Sequence, residues 1–491
     1  MLTQYLHSRK YWEFVIVFAI LCVPLFLYID TPVIVLWDES RNAVNALEML
    51  ANKEYFVRHF NGAPDMWEVK PPLLIWLQLL SFKVFGINEF AIRFPSILAT
   101  LSLAVTIIIT LKKKFSLPYV GYMAALVLIS TQGYIDRHIA RTGDHDALLV
   151  FFACSSLLHF YLYIVHNQKV RNLIFGFIFL LCATYTKSIV SFMYIPGIVL
   201  FVVYMRKILP IIKDYRFYIA CAVYIVCVAF YYWYRNSINP GYVETVWNEE
   251  LFPRYANTQS GIEYYIKNFF NSRFVPWIYV LCIAIPISLY KATKEQRDFL
   301  ILLITTAGIF LFVIGNGSKN LWYDALLYPL FSIIIAFGIQ RLYEVTEQWI
   351  SQRIRIIICA SIFISIFGYS YGSIIQRLHH DSKVYIHSQD IYSISYYLRE
   401  KIEQKQFDTP YIIAYKGYNA HILFYTTLYQ RSGGSITIKK NAESLAPGSH
   451  VIASQPAMIE YIEQNYEYTI IAKRYMAKVY TIHSPKVVST P

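Results

Sequence analysis

Apolar runs long enough to cross a lipid bilayer recur through the first three quarters of this chain. A helix that crosses about 30 Å of hydrocarbon needs roughly 20 apolar residues. Runs that reach or approach this length begin near residues 11, 92, 117, 147, 172, 189, 217, 274, 298, 322 and 354. Only 15% of the residues are charged, whereas soluble proteins carry about a quarter. The sequence therefore predicts a polytopic α-helical membrane protein with about 11 transmembrane helices.

The loops between these runs predict which side of the membrane each one faces. Short basic loops lie at 112–114, 166–171, 206–216, 291–297 and 341–355, and an excess of lysine and arginine marks the cytoplasmic side. The N-terminus is then cytoplasmic, and loops at 31–92, 133–146 and 235–273 face outward. The apolar segment 71–86 is short and contains Gln78 and Lys83. We interpret it as a helix in the membrane interface.

The last part of the chain has the charge content of a soluble domain. Strand-like runs (YIIAYK, HVIAS, YTIIAKR, KVYTIH) alternate there with helical ones (SISYYLREKIEQ, AMIEYIEQ). We therefore expect a transmembrane domain over residues 1–375 and an extracytoplasmic α/β domain over residues 376–491. The net charge of +13 is modest and no basic run is longer than Lys112–Lys114, so nucleic acid is not an expected partner.

Two acidic clusters flank predicted membrane helices on the outer side. WDESRNAVNALEML places Asp38, Glu39 and Arg41 at the start of an amphipathic helix, where Asp38 is either a helix N-cap or a functional carboxylate. In ARTGDHDALLVFF, two acids that are two residues apart would point in different directions on a helix. The simplest arrangement has Asp144 capping the fourth transmembrane helix and Asp146 turned inward. A carboxylate at that depth indicates a functional site, because its charge is costly there.

Basic side chains occur on the same outer side, where the charge rule does not predict them. An anionic ligand explains them, and phosphate is the leading candidate because arginine binds it bidentately and lysine binds it as a point charge. Salt bridges to the nearby acids are the alternative explanation. The residues are Lys70, Arg137, Arg141, Arg254, Arg273 and Lys319.

Paired carboxylates and phosphate-binding cations at a membrane surface favour transfer of a sugar from a lipid-phosphate donor. A carboxylate can take the proton of the acceptor hydroxyl, and cations can stabilise the departing phosphate. The sequence has no glycine-rich phosphate loop, so a nucleotide donor is not supported. The alternative is a transporter or flippase of an anionic lipid, which would bind at mid-membrane on interrupted helices. Clustering of the charges at one face favours the transferase.

Five stretches resemble the GT-C class of membrane glycosyltransferases, the bacterial relatives of protein O-mannosyltransferases and of the lipid A aminoarabinose transferase. WDESRNAVNALEM is similar to the family's DExRYAxxAxxM, and the segment 69–98 to its xKPPLxYWLxxLxxxLFGxNExAxRLPSAL. RTGDHDALLVFF resembles its second acidic motif. The segment 251–277 resembles its long outer loop, and SKNLWYDALLYP is a looser form of its SKxxxYxLPxxP turn. The tail is not diagnostic.

The resemblance implies a role for individual residues of this chain. Asp38 matches the catalytic aspartate of the first loop and Asp146 the acid of the second motif, with Asp144 beside it. Lys70 matches the lysine that holds the donor phosphate, and Arg254 matches an arginine of the long loop. Lys319 and Tyr323 fall in the turn near that phosphate, and Glu39, Arg41, Arg137 and Arg141 are further candidates for substrate binding.

The resemblance also implies the substrates and the location. We expect a polyprenyl-phosphate sugar donor, and an acceptor that is a lipid, a glycan or a protein, at the outer face of the cytoplasmic membrane. Membrane lipid is a further expected partner.

One departure from the family concerns metal binding. Members with a structural zinc use a glutamate just before the KPP motif and a histidine in the long outer loop. Here Val69 occupies the first position, and the chain has no histidine between His166 and His379. The remaining outer histidines, His59, His138 and His145, are too scattered to predict a four-ligand site by spacing. We expect no metal cofactor.

Overall fold

Helices dominate the structure, a computed structural model that describes residues 2–136, 138–166, 168–251, 261–385 and 390–486. The α-helices are Leu2–Phe26, Asp38–Asn52, Leu73–Phe85, Glu89–Phe115, Pro118–Ile129, Gln132–Ile135, Asp146–Val165, Val170–Lys187, Ile195–Tyr204, Ile208–Ile212, Tyr215–Ile238, Tyr242–Val246, Glu263–Asn268, Trp277–Leu289, Lys294–Gly315, Leu327–Val345, Gln352–His380, Asp390–Glu403, Ala420–Arg431 and Pro456–Asn465. The strands are β1 (His59–Phe60), β2 (Ala63–Pro64), β3 (Tyr411–Ala414), β4 (Ile436–Lys439), β5 (His450–Ala453), β6 (Tyr466–Arg474) and β7 (Ala477–Pro485).

Six helical stretches among the described residues are long and apolar enough to cross a membrane. They are Glu89–Phe115, Asp146–Val165, Val170–Tyr204, Tyr215–Ile238, Lys294–Gly315 and Gln352–Lys383. A seventh results if Glu263–Arg273 and Trp277–Leu289, which meet at 116°, form one span. The helical membrane architecture agrees with the sequence, whereas the count of eleven crossings stays a prediction.

The stretch Val170–Tyr204 reverses its direction near residues 188–194. Lys187 lies beside Asp146, at the first residue of the helix Asp146–Val165, with 2.7 Å between ammonium and carboxylate. The ring of Phe201 lies 5.8 Å from that of Tyr161, near the other end of the same helix. The chain therefore runs up and back along this helix, which agrees with two separate apolar runs near residues 172 and 189.

The loop at 31–92, which the charge pattern predicts to face outward and which we call the first outer loop, contains two helices that position the candidate site. The amphipathic helix predicted from WDESRNAVNALEML is present as Asp38–Asn52 and ends at Lys53 in the left-handed conformation. The apolar helix Leu73–Phe85 begins directly after Pro71 and Pro72, because proline lacks the backbone donor that a helix interior needs but is tolerated at its start. The short hairpin β1–β2 lies between the two helices.

The region after residue 390 forms a five-stranded mixed sheet in the order β4-β3-β5-β7-β6. Strand β3 is parallel to β4 and to β5, and β7 is antiparallel to β5 and to β6. The four predicted strands and the two predicted helices are present. The sequence analysis missed the strand Ile436–Lys439 and the helix Ala420–Arg431, which connects β3 to β4.

This C-terminal region packs against the first outer loop. The Tyr425 hydroxyl donates to the Glu89 carboxylate at 2.6 Å and accepts the backbone N–H of Ile34 at 3.1 Å. Arg431 donates to the carbonyl of Leu47 at 3.1 Å, and one hydrophobic cluster contains side chains from both regions. The loop that carries Asp38 is therefore held by the C-terminal region.

Candidate active site

The two acids of the first motif are adjacent in sequence but occupy different environments. Glu39 is buried, receives Arg93 at 2.8 Å, and accepts the backbone N–H groups of Val35 at 2.7 Å and Gly143 at 2.9 Å. Burial opposes its ionisation, but Arg93 and these hydrogen bonds outweigh burial and lower the pKa of Glu39. Glu39 thus joins the first acidic motif to the second, and the structure gives it an internal role where the sequence predicted substrate binding.

Asp38 is the accessible acid of this pair. It is the first residue of its helix, and the N-cap position belongs to Trp37, which makes no side-chain cap hydrogen bond. The interpretation of Asp38 as an N-cap is therefore wrong. Its side chain is 29% exposed, and Oδ2 lies 3.9 Å from Nδ1 of His138. A carboxylate that is partly open to solvent and does not cap its helix is available to a substrate.

Asp38, His138 and Asp144 form one cluster, which we call the acid–histidine cluster. Nδ1 of His138 lies 3.2 Å from Oδ2 of Asp144, and the imidazole stacks on the Trp322 ring at 3.8 Å between centroids. Burial opposes a charged imidazole, but the carboxylates of Asp144 and Asp38 outweigh burial and raise the pKa of His138. Burial raises the pKa of Asp144, although His138 opposes that rise. The sequence analysis missed His138, because only the fold brings it between the two acids.

Of the two positions predicted for the acids of the second motif, the structure contradicts Asp144 as the helix cap and agrees with Asp146 turned inward. The helix begins at Asp146 and its N-cap residue is His145, so Asp144 belongs to the preceding loop and is not the cap. Asp144 faces His138, whereas Asp146 receives the ammonium of Lys187 at 2.7 and 2.8 Å. The two carboxylates therefore face different partners, and Asp146 is neutralised by a buried lysine that the sequence analysis overlooked. A lysine within an apolar run was the available signal.

The acid–histidine cluster could also hold a metal ion. One ligand atom from each of Asp38, His138 and Asp144 lies within 4.8 Å of the others. Oδ1 of Asp144 is buried and has no hydrogen-bond partner among the described residues, which suits an atom that can bind a cation. An imidazole nitrogen with carboxylate oxygens is a ligand set that divalent transition metals accept. The expectation of no metal cofactor therefore stays a prediction.

Lys70 lies in the same electrostatic environment. Its ammonium contacts both carboxylate oxygens of Glu68, at 2.9 and 3.2 Å. Burial alone would lower the pKa of Lys70, but the negative charges of Glu68, Asp38 and Glu250 outweigh burial and raise that pKa above its usual range. Lys70 is therefore a firmly protonated cation in the field of Asp38. Its pairing with Glu68 is the salt bridge named above as the alternative explanation, and phosphate binding by Lys70 stays a prediction.

A largely apolar groove contains Asp146, of the second acidic motif, in its lining. Asp146 and Lys187 lie at its polar part together with Glu250, Ser318 and Tyr323. The apolar lining comprises Leu149, Ile189, Val190, Met193, Phe310, Val313, Ile314 and Leu326. Tyr323 thus lines the same groove as Asp146 and Lys187, and its place near a donor phosphate stays a prediction.

Four other predicted cations have internal partners in this structure, and one of them, Arg273, pairs with Asp324 at 2.6 Å. Arg41 pairs with Asp65 at 2.7 Å. Arg141 donates to the carbonyl oxygens of Pro24, Leu25 and Leu27, at the end of the first helix. Lys319 donates to the carbonyl oxygens of Ile314, Gly315 and Gly317, at the end of the helix Lys294–Gly315. The C-terminal ends of helices stabilise cations such as Arg141 and Lys319. The internal hydrogen bonds of these predicted cations therefore explain their positions without a ligand. Arg137 and Arg254 lie outside the described residues.

Parts of the chain are similar to known glycosyltransferases. The family model of dolichyl-phosphate-mannose-protein mannosyltransferase matches residues 69–233, a range that contains Lys70, Asp146 and Lys187. The chain is 32% identical over 109 residues to the undecaprenyl phosphate-alpha-4-amino-4-deoxy-L-arabinose arabinosyl transferase of Edwardsiella ictaluri, covering 22% of this chain and 19% of that protein. It is 24% identical over 330 residues to an uncharacterised protein of Aquifex aeolicus and covers 63% of each.

Solved structures extend the likeness to nearly the whole chain. ArnT from Cupriavidus metallidurans bound to undecaprenyl phosphate superimposes with a TM-score of 0.72 at 15% identity, covering 98% of this chain and 99% of that one. The fold expected from the resemblance to the GT-C class is therefore confirmed. The apo oligosaccharyltransferase of Archaeoglobus fulgidus has a TM-score of 0.54 at 12% identity, covering 99% of this chain and 76% of that one. At these identities the superpositions establish a GT-C-like fold, and the roles of individual residues rest on the geometry above.

Proposed function

We propose that the protein is a glycosyltransferase that moves a sugar from a polyprenyl-phosphate donor to a hydroxyl or phosphate of a lipid, glycan or protein acceptor. One observation carries this proposal: the accessible carboxylate of Asp38 lies in one electrostatic cluster with the cations Lys70 and His138, and His138 also interacts with Asp146, which lines an apolar groove. The matching family model describes a mannosyltransferase that uses a lipid-phosphate donor. The solved relative with the same fold is described as bound to undecaprenyl phosphate.

The groove suits a donor with an apolar tail and an anionic head. Its apolar lining would cover an isoprenoid chain, and Lys187 and Tyr323 lie at its polar part. An ammonium group has three N–H donors. Lys187 donates two hydrogen bonds to Asp146, and Lys70 donates two to Glu68. Each ammonium group therefore has one N–H left to donate to a phosphate oxygen. The paired carboxylates hold both lysines in place before the donor arrives.

Asp38 acts as the general base in this proposal. It takes the proton of the acceptor hydroxyl while the acceptor oxygen forms a bond to the anomeric carbon of the sugar. The bond between that carbon and the phosphate oxygen breaks, and the polyprenyl phosphate leaves with the electron pair. Lys70 and Lys187 stabilise the negative charge that grows on this phosphate, an effect that is large because their positions are fixed in advance.

His138 balances the negative charge of the two carboxylates in the acid–histidine cluster. The imidazole lies 3.2 Å from Asp144 and 3.9 Å from Asp38, so a positive imidazolium offsets the repulsion between the two carboxylates. We propose that no metal cofactor is required, because this cation already occupies the position between the acids. If chelation by EDTA abolishes transfer and one divalent metal restores it, the cluster is a metal centre instead.

The site is proposed to face the outside of the cytoplasmic membrane. Arg93, near the start of the helix Glu89–Phe115, binds Glu39 beside the cluster. The basic run Lys112–Lys114 lies at the other end of this helix, about 30 Å away at 1.5 Å per residue. Basic loops mark the cytoplasmic side, so their separation from the cluster supports an outer active site, a cytoplasmic N-terminus and an extracytoplasmic domain over residues 376–491.

A direct transfer assay tests the proposal. Purified protein in lipid vesicles is supplied with a panel of radiolabelled polyprenyl-phosphate sugars, and the products are separated by thin-layer chromatography. We expect at least one donor to release its label to an acceptor or to water. Movement of intact donors across the bilayer with no cleavage of any donor would refute the transferase and indicate the flippase.

A further inference from the structure

Aromatic rings stack in a column that ends beside Asp38. The ring of Trp37 lies 4.9 Å from that of Tyr418 with an angle of 12° between the planes. Tyr418 in turn lies 6.1 Å from Phe60 at 16°, and the guanidinium of Arg41 covers the Phe60 ring at 4.1 Å. Trp37 ends this column and is nevertheless 55% exposed. Tyr418 covers one face of the indole, and no ring of the described residues stacks on the other face.

The backbone of Trp37 adopts a conformation that a residue with a side chain rarely takes. Its φ is 78° and its ψ is −121°, a combination that is favourable only for glycine. The surroundings maintain it: the carbonyl of Trp37 accepts the backbone N–H of Arg41 at 3.0 Å and the hydroxyl of Ser40 at 2.9 Å. Strain of this kind is concentrated at functional sites. Here it occurs in the residue that directly precedes the proposed base.

Two parts of the chain build this surface together. Trp37 belongs to the first outer loop, whereas Tyr418 lies between the strand Tyr411–Ala414 and the helix Ala420–Arg431 of the C-terminal region. Among the described residues, those that line the apolar groove do not include Trp37. The open indole face is therefore separate from the proposed donor site, although the next residue along the chain carries the proposed base.

An open indole face suits one side of a pyranose ring. The face of an aromatic ring is electronegative, and the axial C–H bonds of a pyranose are weakly positive and form a flat apolar surface. A sugar that lies on the ring keeps its hydroxyl groups at the edge of the stack, where a neighbouring carboxylate can reach one of them. A single acyl chain has no flat apolar face with hydroxyl groups at its edge.

We infer that the acceptor carries a pyranose ring that stacks on Trp37 and thereby presents its hydroxyl to Asp38. This inference rests on the proposed function and refines it, because it selects a glycan or glycolipid acceptor over a serine or threonine of a protein. It also assigns a task to the C-terminal region, which supports the acceptor-binding ring through Tyr418.

Binding of a simple sugar tests the inference without the donor. The probe is methyl β-D-glucopyranoside, whose ring hydrogens are all axial, and the method is saturation-transfer NMR on the full chain in lipid nanodiscs. We expect strong transfer to the C–H hydrogens of one ring face. Trp37→Ala should weaken binding by about tenfold, as expected for the loss of an aromatic stack, and Trp37→Phe should retain part of it. The matched control is Trp349→Ala, because Trp349 is 70% exposed and belongs to a predicted cytoplasmic loop.

A second measurement separates this inference from the proposed function. Cleavage of the donor by water does not need the acceptor, so Trp37→Ala should cleave it within about twofold of wild type while its KM for octyl β-D-glucopyranoside rises about tenfold. Octanol, which has the same chain and a hydroxyl but no ring, should be a poor acceptor for both. An unchanged NMR signal in Trp37→Ala, or equal use of octanol, overturns the inference. Sugar binding at Trp37 without donor cleavage by any variant overturns the proposed function alone.

Discussion

Replacement of Asp38 by asparagine separates catalysis from folding at one position. Asparagine has nearly the same shape as aspartate, but its amide does not accept a proton near neutral pH. Loss of a general base lowers a rate by about 10²- to 10⁴-fold. Because each tenfold change corresponds to about 1.4 kcal/mol, the barrier should rise by roughly 3–5 kcal/mol.

The structure predicts a much smaller effect of Asp38→Asn on stability. The carboxylate is 29% exposed and is not the N-cap of its helix, so the folded state loses mainly a favourable charge at a helix N-terminus. Such an interaction contributes about 0.3–1 kcal/mol. Removing one of two neighbouring carboxylates also relieves repulsion with Asp144, which offsets part of this loss. Thermal unfolding in detergent should therefore change by only a few degrees.

The neighbouring acid gives a contrast within the same helix turn. Glu39 is 1% exposed and pairs with Arg93. Glu39→Gln leaves a buried guanidinium without its counter-charge, at a cost of about 3–5 kcal/mol, and should lower the yield of folded protein. Initial rates of sugar transfer and unfolding temperatures are measured for both variants. Loss of a general base should lower the transfer rate a hundredfold or more. If Asp38→Asn instead keeps at least about half of the wild-type rate, Asp38 is structural and Asp146 is the better candidate for the base.

Three further changes test other parts of the structure. Lys70→Ala should weaken binding of polyprenyl phosphate at least tenfold, and Lys70→Arg should restore it only in part because a planar fork does not replace a point charge; wild-type affinity in the alanine variant refutes the role. A reporter that is active only outside the cytoplasm should work when joined after residue 491, and activity of a cytoplasmic reporter there would place the active site inside. Burial lowers the pKa of His421 to about 4, so the protein should lose up to about 3 kcal/mol of stability between pH 6.5 and 4, as protons bind only the unfolded state. His421→Gln should remove this loss, and an unchanged pH dependence of the unfolding temperature would contradict the assignment.

Local patterns in the sequence determined much of the fold. Apolar runs predict membrane helices because backbone groups in hydrocarbon must bond within their own segment, and the structure has helices along these runs. The helical spacing after Asp38 predicted the helix Asp38–Asn52, and the pair Pro71–Pro72 marked the start of the next one. The motifs alone also indicated the GT-C class, because they carry the charged residues of its outer loops.

Only the tertiary structure decided which charged groups are available for chemistry. The motif distinguished Asp38 from Glu39 only by resemblance, and the structure gives the physical difference: Arg93, 54 residues away from Glu39, neutralises Glu39 and leaves Asp38 open. Lys187 reaches Asp146 across 41 residues, and His138 enters the cluster from a different loop than Asp38. Ion pairing and burial depend on distances of a few ångströms between side chains. Separation along the chain does not encode these distances, because they are set by how the helices and the C-terminal region pack.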